Sequence, residues 1–285
     1  MKATFTILVL FLLSFSSFAE VSDAEKNALL KLNNATNGAQ WMTKWNLNAA
    51  VSTWYGVKVV NDKVVAIDLS SNNLTGVLPS EISDLQSLKS LVLFQNKITG
   101  TIPASIGKLS NLEVLNISFN QLSGEIPAEL CNATSLKNIE LFMNGLTGKI
   151  PSQINKLNKL EFLSLYNNLI SGTIPSELYQ ITTLKVLQLN SNQLTGSLSR
   201  EIANLTKLEN LSLFDNKMIG QIPFDLEKLN NLKEMNISYN NFNGFISTDL
   251  AKKDMLKMTM VNEYGVASTL KVVSDKNVGI AETDE

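Results

Sequence analysis

The chain has 285 residues, of which 44% are apolar and 18% charged, so a sizeable folded core is expected. Its 24 basic and 26 acidic residues give a net charge of -2, a balance that creates no field for phosphate backbones and argues against nucleic acid as a partner. The lack of histidine and the single cysteine, Cys131, exclude Ser-His-Asp and Cys-His catalysis and histidine-based metal sites. A glycosidase-like carboxylate pair would remain, but the sequence places no two acids opposite one another in a cleft. We therefore expect no enzyme, cofactor or metal.

Residues 1–19 have the pattern of a secretory signal peptide. Lys2 supplies the positive end, residues 5–15 form an almost uninterrupted apolar run, and Ala19 ends a segment suited to signal peptidase. The run is shorter than the roughly 20 apolar residues of a membrane-spanning helix, so no transmembrane segment is expected in the mature chain. We therefore predict a secreted or periplasmic protein that is cleaved after Ala19.

Residues 20–63 are predicted to form an N-terminal cap. Ser22 or Asp23 is a suitable N-cap for a helix, and Asn37-Gly38 can end it. All the tryptophans follow this helix, at Trp41, Trp45 and Trp54. Because aromatic side chains bury large areas, we expect them to form the core that seals the first repeat, with a carbohydrate platform at Trp41 and Trp54 as the alternative.

An unbroken period of 24 residues organises the segment 64–255 into eight coils. Numbering each coil from its first leucine or valine, position 1 falls at Val64, Leu88, Leu112, Leu136, Leu160, Leu184, Leu208 and Leu232. The segment 112–127 reads LxxLxLxxNxLxGxIP. Apolar residues at positions 1, 4 and 6 predict a short strand with one buried face. A single coil cannot bury that face alone, so neighbouring coils are expected to stack.

Other residue types recur at fixed positions of the coil. Position 9 is asparagine in eight successive coils, from Asn72 to Asn240, and a buried amide is stable only when it is hydrogen-bonded. We predict a ladder of asparagines that bind the turning backbone of adjacent coils. Glycine at position 13 suits a backbone with positive φ, and the prolines, all at position 16, favour an extended segment or a helix start. Positions 19 and 22, as in Ile106 and Leu109, are expected to return apolar side chains to the core from the convex side.

The charge at position 2 alternates in sign from coil to coil. The residues are Lys89, Glu113, Lys137, Glu161, Lys185, Glu209 and Lys233. Opposite charges on adjacent coils attract each other weakly at an exposed surface. We interpret this row as a means of fixing register and solubility, not as a binding site.

The repeat pattern LxxLxLxxNxLxGxIP resembles the plant-type extracellular leucine-rich repeat of receptor-kinase ectodomains and polygalacturonase-inhibiting proteins. The eight copies and the cap phrases LLKLNNATNGAQW and VSTWYGV carry the resemblance. It implies an α/β repeat fold: a right-handed solenoid with a concave parallel β-sheet, an N-terminal helical cap and ligand recognition on the concave face. The cysteine pair that usually stands in the plant cap is absent here.

Residues 256–285 are interpreted as a degenerate repeat, a C-terminal cap and a tail. Leu256, Val261 and Tyr264 keep the period but lose the asparagine, glycine and proline of the consensus. The segment 269–273 is predicted to add a capping strand, because an open stack of strands needs its end covered.

The candidate binding residues are those that the pattern turns outward at positions 5, 7 and 8 of the strand segment. Many of them are aromatic, which is typical of contact surfaces, although rings can also pack on one another along a sheet. The aromatic and sulfur-containing candidates are Phe94, Phe119, Phe142, Met143, Tyr166, Phe214 and Tyr239. The polar candidates, expected to fix the orientation of a ligand, are Glu140, Asn167, Gln188, Asn190 and Asp215.

These features predict a secreted recognition module that binds an extracellular or envelope protein, a peptide or an oligosaccharide on its concave face. The predicted face measures on the order of 650 Å², close to one side of a standard protein interface. A passive surface, adhesion or spacer component remains the main alternative. Inhibition of a secreted polysaccharide-degrading enzyme is a further alternative that rests on the family resemblance alone.

Overall fold

The computed structural model describes residues 20–253, 259–261 and 267–273. The predicted signal peptide, the tail and the repeat residues Leu256 and Tyr264 lie outside the described residues. Two α-helices are present in the described part, α1 (Asp23–Ala35) and the short α2 (Thr248–Ala251). The remaining elements of the described part are short strands and 3₁₀ helices.

In chain order, the strands of the described part are β1 (Val57–Val60), β2 (Lys63–Asp68), β3 (Thr75–Val77), β4 (Ser90–Val92), β5 (Lys97–Thr99), β6 (Val114–Asn116), β7 (Ser123–Glu125), β8 (Asn138–Glu140), β9 (Gly145–Thr147), β10 (Phe162–Ser164), β11 (Ser171–Gly172), β12 (Val186–Gln188), β13 (Gln193–Leu194), β14 (Asn210–Ser212), β15 (Ile219–Gln221), β16 (Glu234–Asn236), β17 (Asn241–Asn243), β18 (Phe245–Ser247), β19 (Thr259–Val261), β20 (Ala267–Thr269) and β21 (Lys271–Val273). From β2 to β17 the strands alternate between the main sheet and the two-stranded sheets on another side of the coil.

One sheet runs the length of the described solenoid. Its order is β1-β2-β4-β6-β8-β10-β12-β14-β16, with β1 antiparallel to β2 and the other neighbours parallel. Each parallel strand is in register with the next at a spacing of one full repeat, as in the pair Leu115 and Ile139. Crossovers between parallel neighbours are right-handed, which gives the solenoid its hand. The predicted right-handed solenoid with a concave parallel sheet is therefore confirmed.

The convex side is formed by 3₁₀ helices that begin directly after position 16. They span Ser80–Asp84, Ala104–Lys108, Ala128–Asn132, Ser152–Lys156, Ser176–Gln180, Arg200–Asn204 and Phe224–Lys228. Pro103 precedes one of them with φ −68° and ψ 134°, an extended conformation that the pyrrolidine ring favours. From the same coil Ile106 and Leu109 are fully buried, so positions 19 and 22 return to the core as predicted.

The asparagine ladder is present and joins adjacent coils. The Nδ2 of Asn120 donates to the carbonyls of Leu93, 2.9 Å away in the preceding coil, and Ile117, 3.1 Å away in its own. Its Oδ1 accepts from the amide of Ile98 at 3.0 Å. Each side chain thus satisfies backbone groups that would otherwise be unpaired in the turn, and the sequence prediction is confirmed.

The N-terminal helix begins and ends close to the predicted residues. Ser22 accepts from the amide of Glu25 as the N-cap, and Asn37, with φ 55°, follows the end of α1 in a left-handed conformation. Glu25 is itself buried and accepts from the amide of Val64 at 3.3 Å. This bond ties the helix to the first strand of the repeat array.

The tryptophans form the core of the N-terminal part. Trp41 and Trp45 meet edge to face with centroids 4.8 Å apart, and Trp45 stacks on Trp54 at 4.7 Å. All of them are at most 6% exposed. A buried ring cannot present its face to a sugar, so the carbohydrate-platform alternative is wrong and the core interpretation is confirmed.

The position-2 charges pair across adjacent coils. Lys137 lies 2.6 Å from Glu113, and Lys185 lies 2.6 Å from Glu161. These ion pairs confirm that opposite charges at position 2 attract each other across adjacent coils.

The C-terminal end departs from the sequence prediction. A single strand was expected over residues 269–273, but β20 ends at Thr269 and β21 begins at Lys271. The residue between them, Leu270, is buried, and β21 pairs with β18 while β20 pairs with β19. Turning Leu270 into the core breaks the strand into two pieces that cover different partners.

Candidate functional site on the concave sheet

The floor of the concave face is made of positions 3 and 5. In the short strands of the sheet the middle residue, at position 4, is buried, as Ile139 in β8 and Leu163 in β10 show at 1% exposure each. The two flanking residues therefore point outward. Sequence reasoning identified position 5 but missed position 3, although the same alternation applies to both. The position-3 residues along the central part of the face are Asn138, Phe162, Val186, Asn210 and Glu234.

Positions 7 and 8 are not strand positions, which corrects the sequence prediction. The strands end at position 5, and the chain then turns out of the sheet, so the residue at position 8 has a left-handed backbone. Positive φ values between 52° and 57° occur at the predicted residues Phe119, Met143, Asn167, Asp215 and Tyr239. Their side chains therefore stand at the edge of the sheet, where Phe119 is 40% and Tyr239 46% exposed.

The predicted aromatic residues at this edge form two clusters. In the larger one, Phe119 lies edge to face with Phe94 at 5.5 Å and with Phe142 at 5.8 Å between centroids. Phe142 in turn stacks on Tyr166, with centroids 4.4 Å apart. Each of these rings is partly exposed, so they both pack along the sheet and present a surface to solvent.

The smaller cluster lies towards the C-terminal end. Phe214 and Tyr239 are 5.1 Å apart and tilted by 58°. Asn190 occupies position 7 in the coil between the two clusters, so the aromatic edge is interrupted there by an amide.

Two adjoining cavities lie on the concave side of the sheet, beside the aromatic edge. The first, about 450 Å³, is lined by Glu140, Phe142 and Phe162 among others, and the second, about 360 Å³, by Asn190 and Glu234 among others. Residues common to both are Tyr166, Gln188 and Asn210. We call the two together the concave groove. Of the predicted polar residues, Glu140, Gln188 and Asn190 line it, whereas Asn167 and Asp215 do not.

The carboxylate of Glu140 is held in place by two amides. Asn116 of the preceding strand donates to one oxygen at 3.0 Å, and Asn138 donates to the other at 2.8 Å. The Oδ1 of Asn138 is then left buried without a hydrogen-bond partner. Burial, together with the negative charge of Glu140, raises the pKa of the Tyr166 hydroxyl above its usual value.

The single cysteine contributes nothing to this face. Cys131 lies in a convex 3₁₀ helix and is 1% exposed. Burial raises the pKa of its thiol to about 11, so the thiolate needed for nucleophilic attack is scarce at neutral pH.

Within the described residues, neither helix has the length and apolar content that a membrane span requires.

A stack of coils with a continuous sheet on one side, an internal asparagine ladder and an open groove beside half-exposed rings defines a repeat solenoid. Similarity to known proteins shows which family of repeat solenoids this is. A family model described as Leucine rich repeat matches residues 62–122, and a second one matches 159–181, 183–205 and 231–252.

Plant proteins are among the similar ones. Polygalacturonase inhibitor 1 of Arabidopsis thaliana is 30% identical over 127 residues, which are 41% of this chain and 38% of the inhibitor. The ectodomain of the Arabidopsis receptor kinase HAESA, solved with a peptide hormone ligand, is 31% identical with a TM-score of 0.72, covering 87% of this chain and 41% of that one. The Arabidopsis BIR3–SERK2 complex matches at 30% identity and a TM-score of 0.51, covering 59% of this chain and 93% of that one.

The chain belongs to the leucine-rich-repeat family and is of the plant extracellular type. It spans about two fifths of the length of the inhibitor and of the HAESA ectodomain that it matches.

Proposed function

We propose that this protein is a secreted, non-enzymatic recognition module that binds an extended peptide in the concave groove. The observation that carries the proposal is the row of half-exposed rings beside an open groove lined by amides and carboxylates. Aromatic side chains supply large contact areas, and a few polar groups then fix the orientation of a ligand. A groove that runs across several parallel strands suits an elongated ligand better than a compact metabolite.

The similarity to a receptor ectodomain solved with a peptide hormone supports a peptide over the other ligand classes. The proposal includes export, because the groove would meet extracellular peptides only after the predicted removal of residues 1–19. The cleavage is tested by sequencing the N-terminus of the secreted protein, which should begin at Glu20. An N-terminus at Met1 in the secreted protein would contradict that part of the proposal.

The groove is tested by affinity capture from size-fractionated extracellular fluid of the source organism. Wild-type protein is compared with a variant in which Phe94, Phe142, Tyr166 and Phe214 are changed to serine. Phe224→Ser is the matched control, because Phe224 is a 45% exposed ring on a convex 3₁₀ helix. Cooperative thermal unfolding of each variant establishes that it is folded.

A second variant tests the groove independently if the variant with four serine substitutions does not fold. Gln188→Arg places a bulky cation in the shared part of the groove and removes no ring. Peptides held by wild type and by Phe224→Ser, but lost from both groove variants, are the expected result. Equal capture by all four proteins would overturn the proposal and favour a passive spacer.

Inhibition of a polysaccharide-degrading enzyme is a second candidate, supported by the similarity to polygalacturonase inhibitor 1. It predicts that a captured protein degrades polysaccharide and that its activity falls when the wild-type chain is added in excess. A captured enzyme whose activity is unchanged by the chain would count against this candidate.

A further inference from the structure

The outward positions of the concave face carry acids but no bases. Across the eight coils, positions 3, 5, 7 and 8 include Asp68, Glu140, Asp215 and Glu234, and no lysine or arginine. Two of these acids, Glu140 and Glu234, line the concave groove. A ligand carboxylate would find no opposite charge at these positions, whereas a ligand cation would find two within the groove.

The surroundings of Glu140 match a group that only donates hydrogen bonds. The carboxylate accepts one bond at each oxygen and retains lone pairs for more. Guanidinium and ammonium groups carry donors only. The adjacent rings of Phe142 and Tyr166 add faces that attract a cation.

A second carboxylate stands at the other end of the groove in a similar setting. Asn210 donates to Glu234 at 2.7 Å, which holds one oxygen and leaves the other open to a ligand. Ser212 and Asn236 line the same cavity and offer further oxygen acceptors. The groove therefore has a cation-attracting group near each end and neutral residues between them.

The separation of the two carboxylates sets the spacing of a ligand's charges. Glu140 lies on β8 and Glu234 on β16, with β10, β12 and β14 between them. Four steps between neighbouring strands at about 4.8 Å each, combined with an offset of two residues along the strand at about 3.3 Å each, give ~20 Å between the two backbone positions. An extended peptide advances about 3.3 Å per residue, so two of its residues about six apart would span this length. An even separation also places both side chains on the same side of the extended peptide.

We infer that the groove selects an extended peptide bearing two basic residues about six apart, one contacting Glu140 beside the Phe142 and Tyr166 stack and the other contacting Glu234. This inference rests on the proposed function and adds the chemical class of its ligand.

The test selects peptides that bind the wild-type protein from a random dodecapeptide library displayed on phage. Binding of the selected peptides to Glu140→Gln and to Glu234→Gln is then compared with binding to wild type. Glutamine keeps the shape of each side chain and removes its charge. The matched control is the double variant Glu129→Gln and Glu227→Gln, which removes two exposed carboxylates from convex 3₁₀ helices. It changes the net charge of the protein as much as the two groove substitutions together.

The expected result is enrichment of peptides with lysine or arginine at residues i and i+6. Synthetic copies should bind Glu140→Gln and Glu234→Gln about tenfold or more weakly than wild type, since each substitution removes one charge of a hydrogen-bonded ion pair. The convex control should retain binding. Replacing either basic residue by citrulline or norleucine should reproduce the loss of the corresponding carboxylate.

Two other outcomes would overturn the inference and are distinguishable from each other. In the first, the enriched peptides lack a basic pair, or they bind Glu140→Gln and Glu234→Gln as tightly as wild type, yet Gln188→Arg no longer binds them. This result would refute the charge selection and leave the proposed function intact. If no peptide is enriched on wild type, or if the enriched peptides bind Gln188→Arg as tightly as wild type, both the charge selection and the proposed function are refuted.

Discussion

Phe142 and Tyr166 stack in parallel, with ring centroids 4.4 Å apart and 10° between the ring planes. They occupy the same position of adjacent coils, so the repeat itself brings them together. Such a pair contributes about 0.5–1.5 kcal/mol beyond the area it buries. The stack therefore stabilises two neighbouring coils as well as forming one wall of the concave groove.

A double-mutant cycle measures the stacking. Phe142→Leu, Tyr166→Leu and the double variant should show a coupling free energy of about 0.5–1.5 kcal/mol in urea unfolding. The comparison cycle pairs Phe142→Leu with Phe214→Leu, which belongs to the other aromatic cluster. Its effects should add within about 0.5 kcal/mol, and equal coupling in both cycles would contradict a specific contribution from the stack.

The constant length of the repeat made the buried half of the coil predictable. The asparagine at position 9 and the leucines around it occupy one repeated environment, so Asn120 could be assigned to the ladder from sequence spacing alone. The outward half was less predictable because nothing in the residue types shows where such a short strand ends. Phe119 and Tyr239 have left-handed backbones, a conformation usually taken by glycine, asparagine or aspartate, and their side chains suggested strand instead.

The polar contacts of the groove come from neighbours that no single coil contains. Asn116 and Glu140 belong to successive coils and meet only because those coils stack in register. Comparing equivalent positions of successive coils would have revealed this pair, and Asn210 with Glu234 in the same way. The unpaired Oδ1 of Asn138 depends on which way the amide is turned, and sequence spacing carries no signal for that.

Removing one asparagine from the ladder should destabilise the solenoid. In Asn168→Ala the carbonyls of Leu141 and Leu165 lose their donor, and the amide of Leu146 loses its acceptor. Because Asn168 is buried, water cannot replace these bonds freely, and we expect a loss of about 2–4 kcal/mol in the free energy of unfolding.

The control for the ladder is Asn158→Ala, at an exposed asparagine on the convex side. Its free energy of unfolding should stay within about 0.5 kcal/mol of wild type. Similar losses in both variants, measured by urea unfolding, would show that the ladder bonds add little to stability.

Gly56 is required where the N-terminal part joins the sheet. Its φ is +73°, and an added Cβ would lie 1.9 Å from the carbonyl oxygen of Asp68, which the backbone cannot avoid. Gly220 also has a positive φ, +85°, but an added Cβ would meet nothing closer than 3.2 Å, at Ser197. Comparing alanine at the two positions therefore separates the steric contact from the cost of the backbone conformation.

We expect Gly220→Ala to cost about 1–2 kcal/mol, the usual penalty for a side chain in the left-handed region. Gly56→Ala should cost several kcal/mol more or prevent accumulation of folded protein. The measurement is the midpoint of thermal unfolding together with soluble yield. If Gly56→Ala were as stable as Gly220→Ala, the close approach to Asp68 would not constrain this turn.

Cys131 should make the protein less stable in alkali. Its thiol has a pKa of about 11 in the folded state, against 9.0 as the ordinary value, because burial disfavours the thiolate. Below about pH 9 the thiol is protonated in both states and does not make stability depend on pH. Between pH 9 and 11 only the unfolded chain releases the proton, so the free energy of unfolding should fall by up to about 1.4 kcal/mol per pH unit from this group alone.

Urea unfolding with a reductant, at pH 8 and at pH 10.5, isolates the contribution of the thiol when wild type is compared with Cys131→Ala. The variant retains every other group that titrates in alkali, including the buried Tyr179, whose pKa is raised to about 12 by burial. Wild type should therefore lose more stability between the two pH values than the variant does. Equal alkaline losses in the two proteins would mean that the thiol titrates alike in the folded and unfolded states.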